Sequence, residues 1–507
     1  MIFNSYDYAL FLPVVLFLYW RLKHGQQNLL LLVASYVFYG AWDYRFLGLM
    51  ATSTATDFVV GRLLGSTTDE RKRKRIFFIS LAVNLGILGF FKYFNFFVDS
   101  GASLLTSLGV DAHPPVLRIL LPIGISFYTF HGISYTFDVF RREIEPAQSL
   151  LDFALFVSYF PQLVAGPIGR ASVQLPQFQN ERRSPSLERV RSGLFLILLG
   201  LFKKVVIADA VAPFVNTAFN GAKHAPSATI LLGVYGFALQ IYGDFSGYSD
   251  IARGSSRLFG IELLRNFDQP YLSRNITEFW RTWHISLSTW LRDYLYVPLG
   301  GNRRGRFATY RNLMITMLLG GLWHGAKWTF VIWGGLHGAY LGIHRMMARR
   351  ARQPVPVAGG DPAALGSEAA VRVQAGTAPG DIEEVRAPHT GEPPPFSLRR
   401  DFWAALGTFH IVCFAWIFFR AETFHQAFDV IAGILSFRRG TPGPDMLTVL
   451  GFAAVASFLI DYYQRNRSEA AIINWSPAAR GLLYGIFAVA IILFSGGSPV
   501  PFIYFQF

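Results

Sequence analysis

Long apolar runs, separated by short polar and basic stretches, cover most of the 507-residue chain. The runs lie near residues 6–20, 28–42, 46–64, 76–98, 116–138, 151–168, 190–217, 228–243, 245–260, 311–324, 328–346, 402–420, 446–463 and 480–495. A helix perpendicular to the bilayer needs roughly 20 apolar residues, so several of these runs are too short to cross. The pattern predicts an all-α polytopic membrane protein with about eleven spanning helices and some short or re-entrant helices.

Prolines and glycines interrupt two of the runs. Pro122 lies in the run at 116–138, and Pro161 and Pro167 lie in the run at 151–168. Irregular backbone at membrane depth is tolerated only where it is buried in protein or lines a cavity. These two runs are therefore the ones that we expect not to span.

Composition supports a membrane protein and argues against a nucleic-acid-binding one. Hydrophobic residues make up 52% of the chain and charged residues only 15%, too few to coat a soluble domain of this size. The net charge of +14 comes from basic residues in short loops, as the positive-inside bias predicts. Threading the spans between these loops places the N-terminus and residues 496–507 outside. The single cysteine, Cys413, has apolar neighbours and is interpreted as a packed thiol.

One stretch does not fit the membrane pattern. Residues 352–395 are rich in Pro, Gly, Ala and Glu, and such a segment cannot bury enough apolar surface to fold. We expect a disordered cytoplasmic linker here. It would separate a membrane body, residues 1–351, from C-terminal transmembrane helices and an aromatic tail, residues 396–507, that pack on the same membrane domain.

Two histidines stand in apolar or aromatic surroundings and are the candidates for chemistry. His324 lies in Leu-Trp-His-Gly and is followed by an apolar, Gly-rich run, and His284 lies forty residues upstream in Trp-His-Ile-Ser. An ionisable group at membrane depth is costly and usually functional. A neutral imidazole can take a proton from a hydroxyl group, so His324 is predicted to be a general base. The alternative is a hydrogen-bonded structural histidine, and for His284 the two readings are more evenly balanced.

Five blocks follow one another in a specific order. They are Gly-Ile-Ser-Phe-Tyr-Thr-Phe (124–130), Phe-Pro-Gln-Leu-Val-Ala-Gly-Pro-Ile (160–168), Asp-Phe-Ser-Gly-Tyr-Ser-Asp (244–250), Phe-Trp-Arg-Thr-Trp-His-Ile-Ser-Leu-Ser-Thr-Trp (279–290) and Leu-Trp-His-Gly (322–325). This order resembles the membrane-bound O-acyltransferase (MBOAT) superfamily, in particular its bacterial alginate O-acetylation branch. The resemblance implies a helical body around a central tunnel, with the presumed catalytic histidine of the family at His324 and its second histidine at His284.

Polar and aromatic residue types suggest further members of the site. The predicted tunnel-lining residues are Asp244, Ser246, Tyr248, Asp250 and Trp323. We expect nearby donors to satisfy the two carboxylates. The chain has no HExxH or clustered Cys/His pattern, so neither a catalytic metal nor a bound cofactor is expected. The remaining histidines on or near apolar runs are interpreted as structural, namely His131, His337, His344 and His410.

A basic loop is the candidate contact for the acyl donor. Arg303, Arg304 and Arg306 stand among glycines and could bind phosphate groups, although an ordinary positive-inside loop explains the same charges. The family resemblance implies a cytoplasmic thioester donor, acetyl-CoA in this branch. It also implies a location in the bacterial inner membrane and transfer to an extracytoplasmic polysaccharide by way of an external acetyltransferase resembling SGNH hydrolases. Alginate, cellulose, another exopolysaccharide and peptidoglycan remain open as acceptors.

The aromatic C-terminus carries a further hypothesis. Residues 501–507 resemble the tail found in this branch, and Phe502, Ile503, Phe505 and Phe507 are apolar enough to dock into the membrane body. Tyr504 could then accept the acetyl group and pass it on. The alternative for Tyr504 is an interfacial anchor. For the whole chain, the alternatives are a secondary transporter or flippase and a non-catalytic subunit of a polysaccharide export complex.

Overall fold

The computed structural model describes residues 1–110, 117, 119–351, 395–467, 469–496 and 502–503. These residues form helices and connecting loops, with no strand among them. The all-α prediction is therefore confirmed for this part of the chain. Apart from Pro395, the predicted linker at 352–395 lies outside the described residues, and so does Tyr504.

The α-helices are named in chain order. The first ten are α1 (Tyr6–Tyr19), α2 (His24–Asp43), α3 (Leu47–Ser66), α4 (Glu70–Leu88), α5 (Phe94–Ser107), α6 (Ile125–Arg141), α7 (Leu150–Ser158), α8 (Ala171–Gln179), α9 (Leu187–Phe202) and α10 (Ala210–Asn220). The others are α11 (Ser227–Leu258), α12 (Ile276–Thr282), α13 (Ile285–Leu291), α14 (Gly305–His324), α15 (Trp328–Ala351), α16 (Leu398–Arg420), α17 (Phe424–Leu435), α18 (Pro444–Asn466) and α19 (Pro477–Phe494). Short π-helical segments occur at Gly89–Tyr93, Lys203–Asp209 and Arg292–Tyr296. The 3₁₀ turns are Tyr44–Phe46, Pro270–Leu272 and Glu469–Asn474.

Several helices are long and apolar enough to cross a membrane. Five segments of the described chain meet this description by length and composition: Glu70–Ser107, Ser227–Leu258, Leu398–Arg420, Pro444–Asn466 and Pro477–Phe494. Large apolar side chains also stay exposed on the outer helices, such as Leu10 on α1 and Leu493 on α19, as expected where lipid covers the protein. The chain is a multi-pass membrane protein, and the count of about eleven spans stays a prediction.

The helix α11 corrects one detail of the sequence pattern. The apolar runs at 228–243 and 245–260 are one helix of 32 residues rather than two elements. Asp244 divides the runs in the sequence, but its carboxylate is paired with the ammonium group of Lys204, at 2.6 Å between Nζ and Oδ1. The polar residue therefore does not break the helix. Much of α11 is buried, so it lies at the centre of the bundle.

Proline interrupts both runs as predicted, whereas the expectation that the run at 116–138 does not span stays a prediction. Helix α7 has nine residues, about 14 Å of length, which is too short to cross a bilayer. Residues 159–170, which hold Pro161 and Pro167, are irregular in backbone and buried. Helix α6 begins only at Ile125, three residues after Pro122. These pieces fill the interior of the bundle, where protein surrounds their irregular backbone.

Two of the arginines near the loops bind backbone carbonyl groups. Arg73 on α4 is buried, and its guanidinium donates to the carbonyl oxygens of Val139 and Phe140 at 3.0 and 2.9 Å. Arg438 donates to the carbonyl oxygen of Ala222 at 2.6 Å. Arg73 satisfies two of the last carbonyls of α6, and Arg438 binds a carbonyl just beyond α10, so their charges say less about membrane orientation than a free loop charge does. The predicted orientation stays a prediction.

Helices α9 and α11 run antiparallel and touch along glycines. A Cβ atom on Gly200 would lie 2.5 Å from the carbonyl oxygen of Gly247, and one on Gly254 would lie 2.4 Å from that of Gly193. Both distances are shorter than any normal contact, so only glycine lets the two backbones approach this closely. The approach sets the register that brings the residues following α9 against the centre of α11.

Replacing Gly200 by alanine should lower stability, because the new methyl group meets backbone rather than a flexible side chain. We expect a loss of about 1–3 kcal/mol from overpacking, in spite of the better helix propensity of alanine. The measurement is the thermal aggregation midpoint of the detergent-solubilised protein. Gly451→Ala on α18 is the matched control, since nothing lies within 4 Å of its Cβ position. A midpoint for Gly200→Ala equal to that of the control would contradict the packing argument.

Candidate active site

His324 is the last residue of α14 and its side chain is buried, with 4% of the residue exposed. The helix ends here, since the backbone of Gly325 is extended. The next helix, α15, begins at Trp328. The ring centroids of Trp323, Trp333 and Phe419 lie 5.0, 5.1 and 5.2 Å from that of His324. The imidazole therefore stands in an aromatic enclosure made by α14, α15 and α16.

The close contact of α14 with α15 depends on Gly321. A Cβ atom there would lie 2.2 Å from the carbonyl oxygen of Phe330. Only glycine leaves room here for the backbone of α15. This contact holds the end of α14, and with it His324, against the neighbouring helix.

His284 lies at the break between α12 and α13 and is fully buried. Its backbone is left-handed, with φ 42° and ψ 55°, a conformation that costs an ordinary residue about 1–2 kcal/mol. The break is fixed by Asn266, whose carbonyl oxygen accepts from the N–H of Ile285 at 2.9 Å and whose Oδ1 accepts from the hydroxyl of Ser286 at 2.9 Å. A strained conformation of this kind persists only where surrounding contacts hold it in place, as the two hydrogen bonds to Asn266 do here.

The fold brings the two histidines together. The ring centroids of His284 and His324 are 6.1 Å apart, although forty residues separate them in the chain. At this distance both rings can contact the same small group between them. Two unlike segments of the chain therefore meet at one place, whereas the roles of the two histidines stay predictions.

A cavity of about 390 Å³ reaches His324. Its wall is formed by Trp42, Lys92, Leu120, Leu121, Pro122, Ile123, Gly124, Ile125, Ser126, Phe127, Val164, Trp323 and His324. The wall combines apolar side chains with the polar groups of Lys92, Ser126 and His324, and such a combination suits a substrate pocket. Trp323, expected to line a tunnel, is part of this wall.

The predicted tunnel-lining residues of α11 lie elsewhere. Asp244, Ser246, Tyr248 and Asp250 are all buried, and none of them is part of the cavity wall. Asp244 pairs with Lys204 at 2.6 Å, and Asp250 pairs with Lys203 at 2.8 Å. The expectation that nearby donors satisfy the two carboxylates is confirmed.

The basic loop is not brought near the histidines. Arg303, Arg304 and Arg306 are exposed at the start of α14, whereas His324 is at its end. A helix of 20 residues is about 30 Å long, so the arginines and the imidazole lie at opposite ends of one helix.

The other histidines have structural contacts, as expected. The N–H of Gly169 donates to Nε2 of His131 at 2.9 Å, and the indole N–H of Trp280 donates to Nδ1 of His337 at 3.2 Å. His344 contacts the hydroxyl of Thr277 at 2.9 Å, and His410 contacts the carbonyl oxygen of Leu406 at 2.7 Å. Among the described residues, no group of three or more His, Cys, Asp or Glu is arranged to hold a metal ion.

The sequence was compared with protein families and with known proteins. Residues 139–361, which contain both histidines, match the family model described as "MBOAT, membrane-bound O-acyltransferase family". The chain is 39% identical to "Probable alginate O-acetylase AlgI" of Pseudomonas putida, over 100% of both chains. The chain belongs to the membrane-bound O-acyltransferase family.

Further relatives of this O-acyltransferase carry related names. The protein is 38% identical to "Probable alginate O-acetylase AlgI" of Azotobacter vinelandii, again over 100% of both chains. It is 34% identical to "Peptidoglycan O-acetyltransferase" of Helicobacter pylori, over 84% of this chain and 78% of the relative. The resemblance seen in the five blocks is confirmed, and the chain is an enzyme of acyl transfer.

Lys92 of this O-acyltransferase was not identified from the sequence. It stands in the π-helical segment Gly89–Tyr93, and its Nζ donates to the carbonyl oxygen of Trp323 at 2.5 Å and to the hydroxyl of Ser126 at 3.2 Å. The hydroxyl of Tyr93 donates to the carbonyl oxygen of Leu322 at 3.0 Å. Together they satisfy two of the last carbonyls of α14, directly before His324. A lysine inside an apolar run is the same signal that singled out His324.

Replacing Lys92 by methionine should slow acyl transfer while the protein still inserts. The substitution keeps the length of the side chain and removes a charged hydrogen bond, typically about 1.5–3 kcal/mol, that fixes the end of α14. We expect a loss of roughly tenfold or more in the rate of thioester consumption by the purified protein. Lys74→Met, at an exposed position of α4, is the control. Equal rates for the two variants would show that Lys92 does not hold the site.

Proposed function

We propose that this protein is an O-acetyltransferase of the bacterial inner membrane. It takes an acetyl group from a cytoplasmic thioester, acetyl-CoA, and passes it across the membrane for O-acetylation of an extracytoplasmic polysaccharide such as alginate. The observation that carries the proposal is the position of His324, a buried imidazole that forms part of a cavity wall and lies 6.1 Å from a second imidazole. The names of the relatives support acetyl transfer to a polymer.

His324 acts as general base in this proposal. It takes the proton of the attacking hydroxyl group while the hydroxyl oxygen forms a bond to the thioester carbonyl carbon. The carbon–sulfur bond then breaks, and the thiolate leaves and receives the proton from the imidazolium. An apolar enclosure disfavours the charged imidazolium at rest, so the ring is available as a proton acceptor. His284 orients the donor or the attacking hydroxyl.

The two ends of α14 suggest how the substrates approach. The exposed arginines at residues 303, 304 and 306 lie at one end and His324 lies at the other. We assign the arginine end to the phosphates of the donor on the cytoplasmic side, and the cavity to the acceptor side. Arginine is suited to phosphate because its planar group can form two parallel hydrogen bonds.

Tyr504 is the proposed first acceptor of the acetyl group. In this version its phenol loses a proton to His324 and takes the acetyl group as an ester, and an external acetyltransferase resembling SGNH hydrolases then moves the group to the polymer. Support comes from the two residues before it, since Phe502 and Ile503 are buried inside the membrane body. Their docking was expected from their apolar character.

Replacing His324 by alanine should reduce acetyl transfer by about 10²–10⁴-fold, the typical contribution of a general base. The assay follows thiol release from acetyl-CoA by purified protein in lipid nanodiscs. His284→Ala should give a smaller loss or a weaker apparent affinity for the donor. His410→Ala is the control, since this side chain is exposed, contacts the carbonyl oxygen of Leu406 and the ring of Tyr235, and is not part of the cavity wall. Normal thiol release and normal polymer acetylation by the His324 variant would show that His324 is not the general base.

Replacing Tyr504 by phenylalanine should abolish polymer acetylation, because only the hydroxyl group is removed. The measurement is the acetyl content of the secreted polysaccharide at matched protein levels, with mass spectrometry of the C-terminal peptide for the acetyl ester. Tyr6→Phe, at a residue that is 90% exposed, controls for loss of a hydroxyl elsewhere. Full acetylation by the Tyr504 variant would exclude the relay and favour direct transfer.

A further inference from the structure

The residues near the C-terminus of the chain are bound by a buried ion pair. Asp244 on α11 and Lys204 on the π-helical segment after α9 are each almost completely buried, with 2% and 1% of the residue exposed. Asp244 accepts from the backbone N–H of Ile503 at 2.6 Å through Oδ2 and from Nζ of Lys204 at 2.6 Å through Oδ1. One carboxylate therefore joins the centre of the bundle to a residue 259 positions away in the chain.

The ring of Phe502 is held by the same group of side chains. Nζ of Lys204 lies 4.5 Å from its centroid, within the range of a cation–π contact. Tyr248, one turn along α11 from Asp244, packs edge-on against it with centroids 4.9 Å apart. Phe502 and Ile503 are only 1% and 5% exposed. Both the main chain and a side chain of this segment are thus recognised, which is more than incidental packing provides.

A neighbouring pair provides a comparison. Lys203 and Asp250, at 2.8 Å, have the same chemistry and lie on the same two elements. Among the described residues, neither of them makes a hydrogen bond or ring contact to Phe502 or Ile503, and Lys203 lies near Tyr242 instead, 5.8 Å from its ring centroid. Of these two adjacent lysines, only Lys204 contacts Phe502 or the carboxylate that binds Ile503, as far as the described residues extend.

We propose that Lys204 and Asp244 form a tail clamp, a pair of positioning residues that holds the C-terminal segment in the membrane body for acyl transfer. This inference rests on the proposed function. Because consecutive Cα atoms are about 3.8 Å apart, a clamp on Ile503 limits where the phenol of Tyr504 can be placed. Asp209 also pairs with Lys204, at 2.8 Å, so the cation stays fixed from two sides. The clamp contributes no atom to the reaction and acts only through the position of the tail.

The test measures tail position and acetyl transfer in the same proteins. Ile503→Cys introduces a thiol into the clamped segment, in a Cys413→Ala background, and a membrane-impermeant maleimide reports its exposure. Lys204→Met should raise the labelling rate and lower polymer acetylation, each by about tenfold or more, since a charge-assisted contact is lost. Lys203→Met, the matched control, should leave the tail shielded and retain more than half of the acetylation. Lys204→Arg, which keeps the charge and the cation–π contact, should restore both.

Other outcomes would overturn the clamp. If Lys204→Met labels rapidly but acetylates normally, the tail is bound without a role in transfer. If the two lysine variants lose labelling protection and acetylation equally, both pairs are merely structural. If Lys204→Met does not accumulate in membranes, Asp244→Asn is tested instead, because it removes the charge at constant size. The labelling rate and the polymer acetylation are measured as before. A shielded tail with normal acetylation in Asp244→Asn refutes the proposal. His324→Ala distinguishes failure of the clamp from failure of the proposed function, since this variant should stop acetyl transfer while the tail remains shielded from the maleimide.

Discussion

The contact between α9 and α11 is the constraint on which the interior of this protein depends. Glycine faces glycine at two places along the antiparallel pair, so the backbones approach more closely than any other residue would allow. The approach has an electrostatic consequence. It sets Lys203 and Lys204, just beyond the end of α9, directly against Asp250 and Asp244 on α11. Charges in a membrane interior are tolerated when they are paired, and the glycine contact provides the pairing.

The second arrangement is the assembly of the two histidines from unlike pieces of chain. His324 comes from the end of a regular helix, and its position depends on how that helix ends, with Lys92 and Tyr93 binding the last carbonyls. His284 comes from a break between two short helices, and its position depends on Asn266. A helix end and a helix break both expose backbone groups that must be satisfied by other side chains. The position of the two histidines is therefore held by polar residues that bind backbone groups.

Apolar runs and the positions of prolines predicted most of the helices and the non-spanning pieces at 151–168. An ionisable residue in an apolar run predicts His324 as functional, and Lys92 and Lys204 carry the same signal inside the long runs at 76–98 and 190–217. The partners of these lysines depend on tertiary contacts that no local pattern contains. Asp244 divides one helix into two apolar runs in the sequence. An unpaired carboxylate would end such a run, whereas this one is paired with Lys204 and the helix continues. The exposed arginines at the start of α14 match a basic loop, and their link to a donor stays a prediction.

The left-handed backbone of His284 has a consequence for how this position can vary. Histidine and asparagine enter that region of conformational space more readily than most residues, whereas alanine does so at a cost. Selection at this site therefore acts on the main chain as well as on the ring. A residue that cannot adopt the conformation would pull Asn266 and the start of α13 out of place, even if its side chain had no chemical role. The residues tolerated at this position therefore depend first on the geometry of the helix break and only then on imidazole chemistry.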